Sequence, residues 1–430
     1  MKRRATVTLT AVLVVLTGLL GGAARAEPST TVNYPAGAAG TWFKGRALDA
    51  CTAPSRTALQ AWLSSPYRAL GVYISGPLRA CSQSRLTAGW VTDITKLGWK
   101  ILPIDVGLQA PCRAATRLRA MSRTPSVAAA QGATAAKGAL SAAKGLGLLP
   151  GSALYSDLEP YYAARDAGCA EAVRAYVAEW TRTLHRAGYL AGVYASHNYG
   201  GTSLGDSYTS TTHARIDALW TAKWDLVAST TGWGGVANEK WSMHQRVKQY
   251  RGDHNESHGG IVLNIDSNVV DGPVATVALP YQISPGVGVT KRDRPGLTGA
   301  AKGSLPQGVS VKVVCQTAAT LGTWDKLTDG TYVPDASVAG GSAKPQLPTC
   351  ATPLQMTKGA NERSGPSVTA ALQGTTFDGA LAWITCETPG ITLGLPGFWQ
   401  RIQGGLWVSG ALVAVPDARK RTPGVPLCTL

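Results

Sequence analysis

Between residues 39 and about 273, short apolar runs suited to buried strands alternate with longer stretches of helical periodicity. Strand candidates are 47–49, 71–74, 101–106, 153–158, 191–194, 218–222, 247–250 and 261–265. Helix candidates are 56–63, 84–97, 126–145 and 168–187. In the last of these Val173, Tyr176, Val177, Trp180 and Leu184 recur at helical spacing. Strand and helix alternating over ~230 residues predict a parallel α/β sheet, closed as a (βα)8 TIM-barrel-like domain over 39–275. An open doubly wound sheet is the alternative, although no Gly-x-Gly-x-x-Gly follows the first strand.

Further along, the period shortens to two, as in Val309-x-Val311-x-Val313 and Leu381-x-Trp383, with Gly-rich turns between. The segment also repeats itself. Cys315-Gln316-Thr317 aligns with Cys386-Glu387-Thr388, Tyr332-Val333 with Trp407-Val408, and Pro348-Thr349-Cys350 with Pro426-Leu427-Cys428. Two copies of one small all-β module are expected, at 286–352 and 354–430. In the second, Asn361-Glu362-Arg363-Ser364-Gly365-Pro366-Ser367 resembles the opening of bacterial SH3 domains of cell-wall proteins. The first has Lys291-Arg292-Asp293-Arg294-Pro295-Gly296 there instead.

The N-terminus has its own pattern. Lys2, Arg3 and Arg4 precede an apolar run from Ala11 to Gly22, then Ala24-Arg25-Ala26. That order reads as a signal peptide over 1–26. The run falls short of the ~20 apolar residues a spanning helix needs, and no second run follows, so no stable membrane span is expected after its removal. Arg3-Arg4 leaves general and twin-arginine export both open. The chain is expected to be secreted, extracellular or associated with the cell wall. The formal net charge of +16 falls to +12 when Lys2, Arg3, Arg4 and Arg25 leave with the signal, and a basic chain outside the cell is attracted to anionic envelope polymers. No nucleic-acid motif is present.

Eight dispersed cysteines, none in a CxxC, read as disulfides in that compartment. The repeat predicts Cys315 with Cys350 and Cys386 with Cys428, one staple for each module too small to be secure alone. Cys51, Cys81, Cys112 and Cys169 allow three connectivities. If all lie on one barrel face, loops after neighbouring strands would be tied as Cys51 to Cys81 and Cys112 to Cys169.

The candidate chemistry lies at strand ends. In Tyr155-Ser156-Asp157-Leu158-Glu159 two carboxylates are separated by one residue, which on a strand puts them on one side about 6.6 Å apart. Such a pair can divide glycoside cleavage between a proton donor and a group that attacks or stabilises the cationic centre. Asp49 ends the first candidate strand and Asp266 the last, which a closed barrel makes neighbours. Asp105 ends the third. Tyr73, Tyr194, Trp220, Trp224, Gln249 and Tyr250 stand at equivalent ends, where aromatic rings and amides suit sugar binding. His254 and His258 would share a helix face, but Gly252, Gly259 and Gly260 argue for a loop, so no metal is expected and no motif calls for a cofactor.

Leu48-Asp49, Asp157-Leu158-Glu159, Leu219-Trp220-Thr221-Ala222-Lys223-Trp224, Lys248-Gln249-Tyr250 and Ile265-Asp266-Ser267-Asn268 are similar, in order and spacing, to the strand-end motifs of family-25 lysozymes. Cys51-Thr52-Ala53-Pro54-Ser55, Gly71-Val72-Tyr73-Ile74 and the Gln249 to Glu256 segment more closely resemble a secreted glycoside hydrolase-like family, domain of unknown function 1906. The resemblance covers roughly 39–273. It implies Glu159 as general acid, with Asp157, Asp49 and Asp266 placing or stabilising the sugar, while Tyr73, Asp105, Tyr194, Trp220, Trp224 and Gln249 are the substrate-binding candidates that the strand ends themselves offer. It implies a partner that is peptidoglycan or a related wall glycan. The competing expectation is a non-catalytic carbohydrate-binding or wall-remodelling factor with the same acidic mouth.

Overall fold

The computed structural model describes residues 32–35, 38–284, 286, 288–319, 322–339, 347–415 and 417–428. The predicted signal peptide lies outside them.

Eight strands close a barrel in sequential order: β1 (Thr41–Asp49), β2 (Tyr67–Ser75), β3 (Lys100–Asp105), β4 (Ala153–Leu158), β5 (Leu190–Ser196), β6 (Ala218–Ala222), β7 (Arg246–His258) and β8 (Ile261–Val274). The helices are α1 (Arg56–Ala61), α2 (Ala88–Lys96), α3 (Pro125–Gly145), α4 (Ala167–Arg186) and the short α5 (Thr202–Asp206). Local chemistry sets several of their starts. The Ser55 and Thr87 hydroxyls accept from the amides of Ala58 and Trp90, and the Asp166 carboxylate from that of Cys169. In α4, Val173, Tyr176, Val177, Trp180 and Leu184 are all buried, as the helical spacing predicts.

The barrel departs from an all-parallel (βα)8 design at its last strand. β1 through β7 run parallel, whereas β8 pairs antiparallel with both β7 and β1. The cause is the turn Gly259-Gly260, with φ of 56° and 77°, a left-handed conformation that glycine adopts readily. It folds β7 back on β8 as a hairpin, so no crossover helix is needed. The segment read as a loop around Asp253–His258 is therefore the distal part of β7, paired to residues 261–265 as an arm beyond the barrel rim. The expected eighth strand, 261–265, is only the start of a longer one. Asp266 reaches the mouth from the interior of β8 rather than from its end, directly opposite Asp49.

Two six-stranded antiparallel sheets follow. The first comprises β9 (Leu279–Gln282), β10 (Val289–Arg292), β11 (Ala301–Leu305), β12 (Ser310–Ala319), β13 (Gly322–Leu327) and β14 (Tyr332–Pro334), in the order β11-β10-β14-β13-β12-β9. The second comprises β15 (Thr352–Gln355), β16 (Asn361–Arg363), β17 (Leu372–Thr375), β18 (Leu381–Thr392), β19 (Leu395–Ile402) and β20 (Trp407–Ser409), in the order β15-β18-β19-β20-β16-β17. With one order reversed, the two coincide strand for strand. Side chains repeat as well: Lys326 lies 5.8 Å from the Tyr332 ring centroid and Arg401 5.9 Å from that of Trp407. Four disulfides join Cys51–Cys81, Cys112–Cys169, Cys315–Cys350 and Cys386–Cys428.

The second sheet closes the base of the barrel. Barrel-interior residues such as Ala47, Tyr155, Val247 and Val274 form one buried cluster with Leu354, Met356, Leu381, Trp383 and Ile402. Polar groups seal the seam. Gln355 Nε2 donates to Asp217 Oδ1 at 2.6 Å, the Leu381 amide to Gln245 Oε1 at 3.1 Å, and Tyr34 Oη to the Pro353 carbonyl at 2.7 Å. The opposite end of the barrel stays open.

Candidate active site

At that open end a cavity of about 410 Å³ is lined by Asp49, Tyr73, Asp157, Glu159 and Asp266, with Arg117, Asp253 and Asn264 at its sides. Strand geometry assembles it. β1 and β4 deliver Asp49 and Asp157 at corresponding ends, Glu159 follows one residue beyond β4, and β8 brings Asp266 beside Asp49. The Cys51–Cys81 disulfide fastens the loops after β1 and β2, and both cysteines stand in the wall.

Gln249 on β7 organises one side. Its Oε1 accepts from Tyr194 Oη at 3.0 Å and Trp224 Nε1 at 2.8 Å. Its Nε2 donates to Asp49 Oδ2 at 3.2 Å and Asp266 Oδ2 at 3.1 Å. Two donors fix which end of the amide faces them, leaving the NH2 for the two carboxylates. Asn268 Nδ2 adds a 2.7 Å bond to Asp49 Oδ2, and Tyr73 Oη approaches Asp49 Oδ1 at 3.4 Å. The Asp253 amide donates to Asp266 Oδ1 at 2.5 Å.

Burial pushes the Asp49 carboxyl up to about 8, and the charge of Asp266 adds to the shift. Asp266 is also raised, chiefly by burial. Adjacent carboxyls in such a setting do not both ionise near neutrality, so the pair retains a proton. Across the cavity, Asp157 is raised well above the carboxylate range, first by burial and then by the charges of Glu159, Asp49 and Asp105. Its Oδ1 is buried without a hydrogen-bond partner. Glu159 is more accessible; burial raises it, Arg117 opposes the rise and Asp266 assists it. A mouth able to hold protons beside a less buried carboxylate has the ingredients of acid-assisted chemistry on an acetal.

Other anticipated residues occupy different positions. Asp105 is buried, accepts from Ser75 Oγ at 2.5 Å and is raised to about 6 by burial, but it is not among the residues lining the cavity. Trp220 is fully buried inside the barrel, where Nε1 donates to Asn268 Oδ1 at 2.9 Å. It supports the site from below instead of presenting a ring to a sugar, because its position on β6 points into the barrel core. Trp224, beyond β6, is 64% exposed. Tyr194 is turned onto Gln249. On the hairpin arm, Glu256 accepts hydrogen bonds from His254 and His258 as well as from Tyr67 Oη.

Three residues in the site were not anticipated. Asn268, two positions after Asp266 on one strand, could have been found from the period of two. Gln109, fully buried in the loop after β3, receives the Glu159 amide at 2.8 Å and donates to the Asp157 carbonyl at 2.9 Å. It fixes the exit of β4 and with it both acids. Arg117 comes from the same long loop, and neither residue carries a local sequence signal.

The eight-stranded barrel with acids at the mouth defines a glycoside hydrolase-like domain. Residues 60–270 match the family model described as Rv2525c-like, glycoside hydrolase-like domain. Among solved structures, the chain is similar to the Tat-secreted protein Rv2525c of Mycobacterium tuberculosis, at 14% identity over 53% of this chain and 96% of that one, with a TM-score of 0.36. It is also similar to an uncharacterized B. stearothermophilus protein (19% identity, 52% and 95% covered, TM-score 0.35). A third is a muramidase from Acremonium alcalophilum (18% identity, 53% and 93% covered, TM-score 0.31). No curated protein matches the chain.

Proposed function

We propose that this is an exported protein whose barrel acts on peptidoglycan or a related cell-wall glycan, with Glu159 as the general acid. The supporting observation is the gathering of Asp49, Asp157, Glu159 and Asp266 around one open cavity. In this reading Glu159 protonates the leaving oxygen, because its pKa is raised and it is more accessible than Asp157 beside it. Asp157, Asp49 and Asp266 hold the sugar and answer the positive charge that develops on it. Residues 1–26 are the signal peptide, 39–275 the barrel domain, and 286–352 and 354–430 SH3-like modules facing the wall. The four disulfides suit an oxidising compartment, and among the described residues no helix is long and apolar enough to cross a membrane.

The test is to incubate purified wall with mature protein and look for new reducing ends by mass spectrometry. Wild type should release fragments, and Glu159→Gln should lower release by at least about 100-fold, the usual scale for a proton donor. Absence of release by wild type across pH and wall sources overturns the hydrolytic reading. A second reading, non-catalytic glycan binding, is favoured by the Gln249 and Asn268 amides, which already occupy acceptor positions on Asp49 and Asp266. It predicts wall binding that survives Glu159→Gln with no fragments from either protein.

A further inference from the structure

Next to the acidic mouth is a second hollow that the proposed chemistry does not use. It has a volume of about 350 Å³, and its lining includes Tyr162, Arg165, Arg174, Asn198, Tyr199 and Asp206. Its residues come from the segments that leave β4 and β5, neighbouring parallel strands in register at Leu158 and Ala195, so it opens on the same end of the barrel. Tyr162 lies three residues past Glu159, which keeps their Cα atoms within about 11 Å.

Two features distinguish this hollow from an ordinary surface dip. Tyr162 and Tyr199 are 39% and 40% exposed, and their rings meet edge to face with centroids 5.4 Å apart and planes at 87°. Two perpendicular aromatic walls form a corner. Tyr199 is held there by a π-helical turn, His197–Gly201, a rare conformation that is frequent at functional sites. Gly200 makes the turn fit. A Cβ at that position would lie 2.7 Å from both the Tyr161 ring and the Ala195 methyl, so the turn is pressed against the buried residue next to Tyr162. Polar and charged groups surround the corner: Arg165 has its guanidinium carbon 5.7 Å from the Tyr162 centroid, and Asn198 and Asp206 are exposed.

Rings flanked by amide, carboxylate and guanidinium groups match the chemistry of a pyranose, with an apolar face and hydroxyls around its edge. We infer that the Tyr162–Tyr199 corner is a distal saccharide subsite, in which a glycan strand seated at the acidic mouth continues past Glu159 and stacks a sugar ring on one of the two tyrosines. The inference rests on the glycan reading of the mouth and adds to it the direction of the strand, from the β8–β1 side toward β5. A ligand confined to the mouth would not touch the corner, whereas a longer one would, so length separates the two sites.

The experiment uses the full mature chain carrying Glu159→Gln, so that turnover does not interfere, with β-1,4-linked N-acetylglucosamine dimer and hexamer as probes in calorimetric titrations. Tyr162→Ala with Tyr199→Ala should weaken the hexamer by about tenfold, the equivalent of about 1.4 kcal/mol, and leave the dimer unchanged. Tyr162→Phe with Tyr199→Phe, which keeps the rings, should retain most hexamer affinity. Hexamer binding that Asp157→Asn weakens and the double alanine variant leaves intact overturns the subsite while preserving the mouth. Failure of the parent to bind either oligomer overturns both. Equal weakening of dimer and hexamer by the alanine pair overturns a distal role.

Discussion

Asp49 shows how a single side chain couples the site to stability. Its unfolded value is near 3.8 and its folded value about 8. Between these limits the folded chain holds a proton that the unfolded chain releases. The stabilisation from this group is therefore complete below about 4 and is lost as pH rises toward 8. Asp49→Asn, which keeps the shape without the ionisation, should gain in melting temperature relative to the parent, and by more at pH 8 than at pH 5. Scanning calorimetry at the two values measures this; a gain that is equal or larger at pH 5 contradicts the assignment. At this scale Asp49, Asp157, Glu159 and Asp266 were legible in the sequence because strand ends and a period of two reveal shared faces. Gln109 and Arg117 were not legible. Their place depends on how a loop of nearly twenty residues folds back over β4, information held in contacts distant along the chain.

Among the elements, the loops after β1 and β2 depend on a covalent tie. Cys51 and Cys81, separated by 30 positions, close a loop large enough that losing the bond should cost about 3 kcal/mol by restoring freedom to the unfolded chain. Cys51→Ser with Cys81→Ser should accordingly lower the urea midpoint and, because the freed unfolded chain exposes more surface, steepen the transition rather than flatten it, and equilibrium unfolding followed by tryptophan fluorescence checks it. The wall of the cavity moves with those loops, so the same variant should also weaken glycan binding. Strand and helix periods located the barrel elements closely, as at Ala153–Leu158 and Ala218–Ala222. What the periods could not give was direction. Alternation reads the same forwards and backwards, so β8 looked like one more parallel strand. Gly259-Gly260 between two alternating runs was the available signal for a hairpin.

For the molecule as a whole, the second antiparallel sheet is a floor rather than a pendant. Trp383 Nε1 donates to the Met243 carbonyl at 3.2 Å and Tyr208 Oη to that of Asp378 at 2.8 Å. Together with the shared apolar cluster, these bonds make the barrel and this sheet one core. Deleting 351–430 would uncover the apolar residues of that shared cluster in a domain of a kind ordinarily stable by only about 5–15 kcal/mol. The truncated chain should be unfolded or aggregated by circular dichroism and size exclusion; a monomer that melts with the full-length barrel would contradict the shared core. The internal repeat made the two sheets and their disulfides readable in advance. Their docking was not readable, since an apolar residue such as Leu354 or Trp383 looks the same whether it fills its own module or a neighbour's base.

The segment leading into β1 carries that union into the timing of synthesis. Tyr34 bonds the Pro353 carbonyl, 319 positions later, and the Ala38 carbonyl accepts from Lys326 Nζ at 2.9 Å, 288 positions later. A chain emerging from its N-terminus thus leaves Tyr34 and the Ala38 carbonyl without these partners until most of its length has followed. Such long waits mark slow folding topologies. The early part of the chain remains available to chaperones, or to passage through a narrow pore, until the floor of the barrel has arrived to hold it.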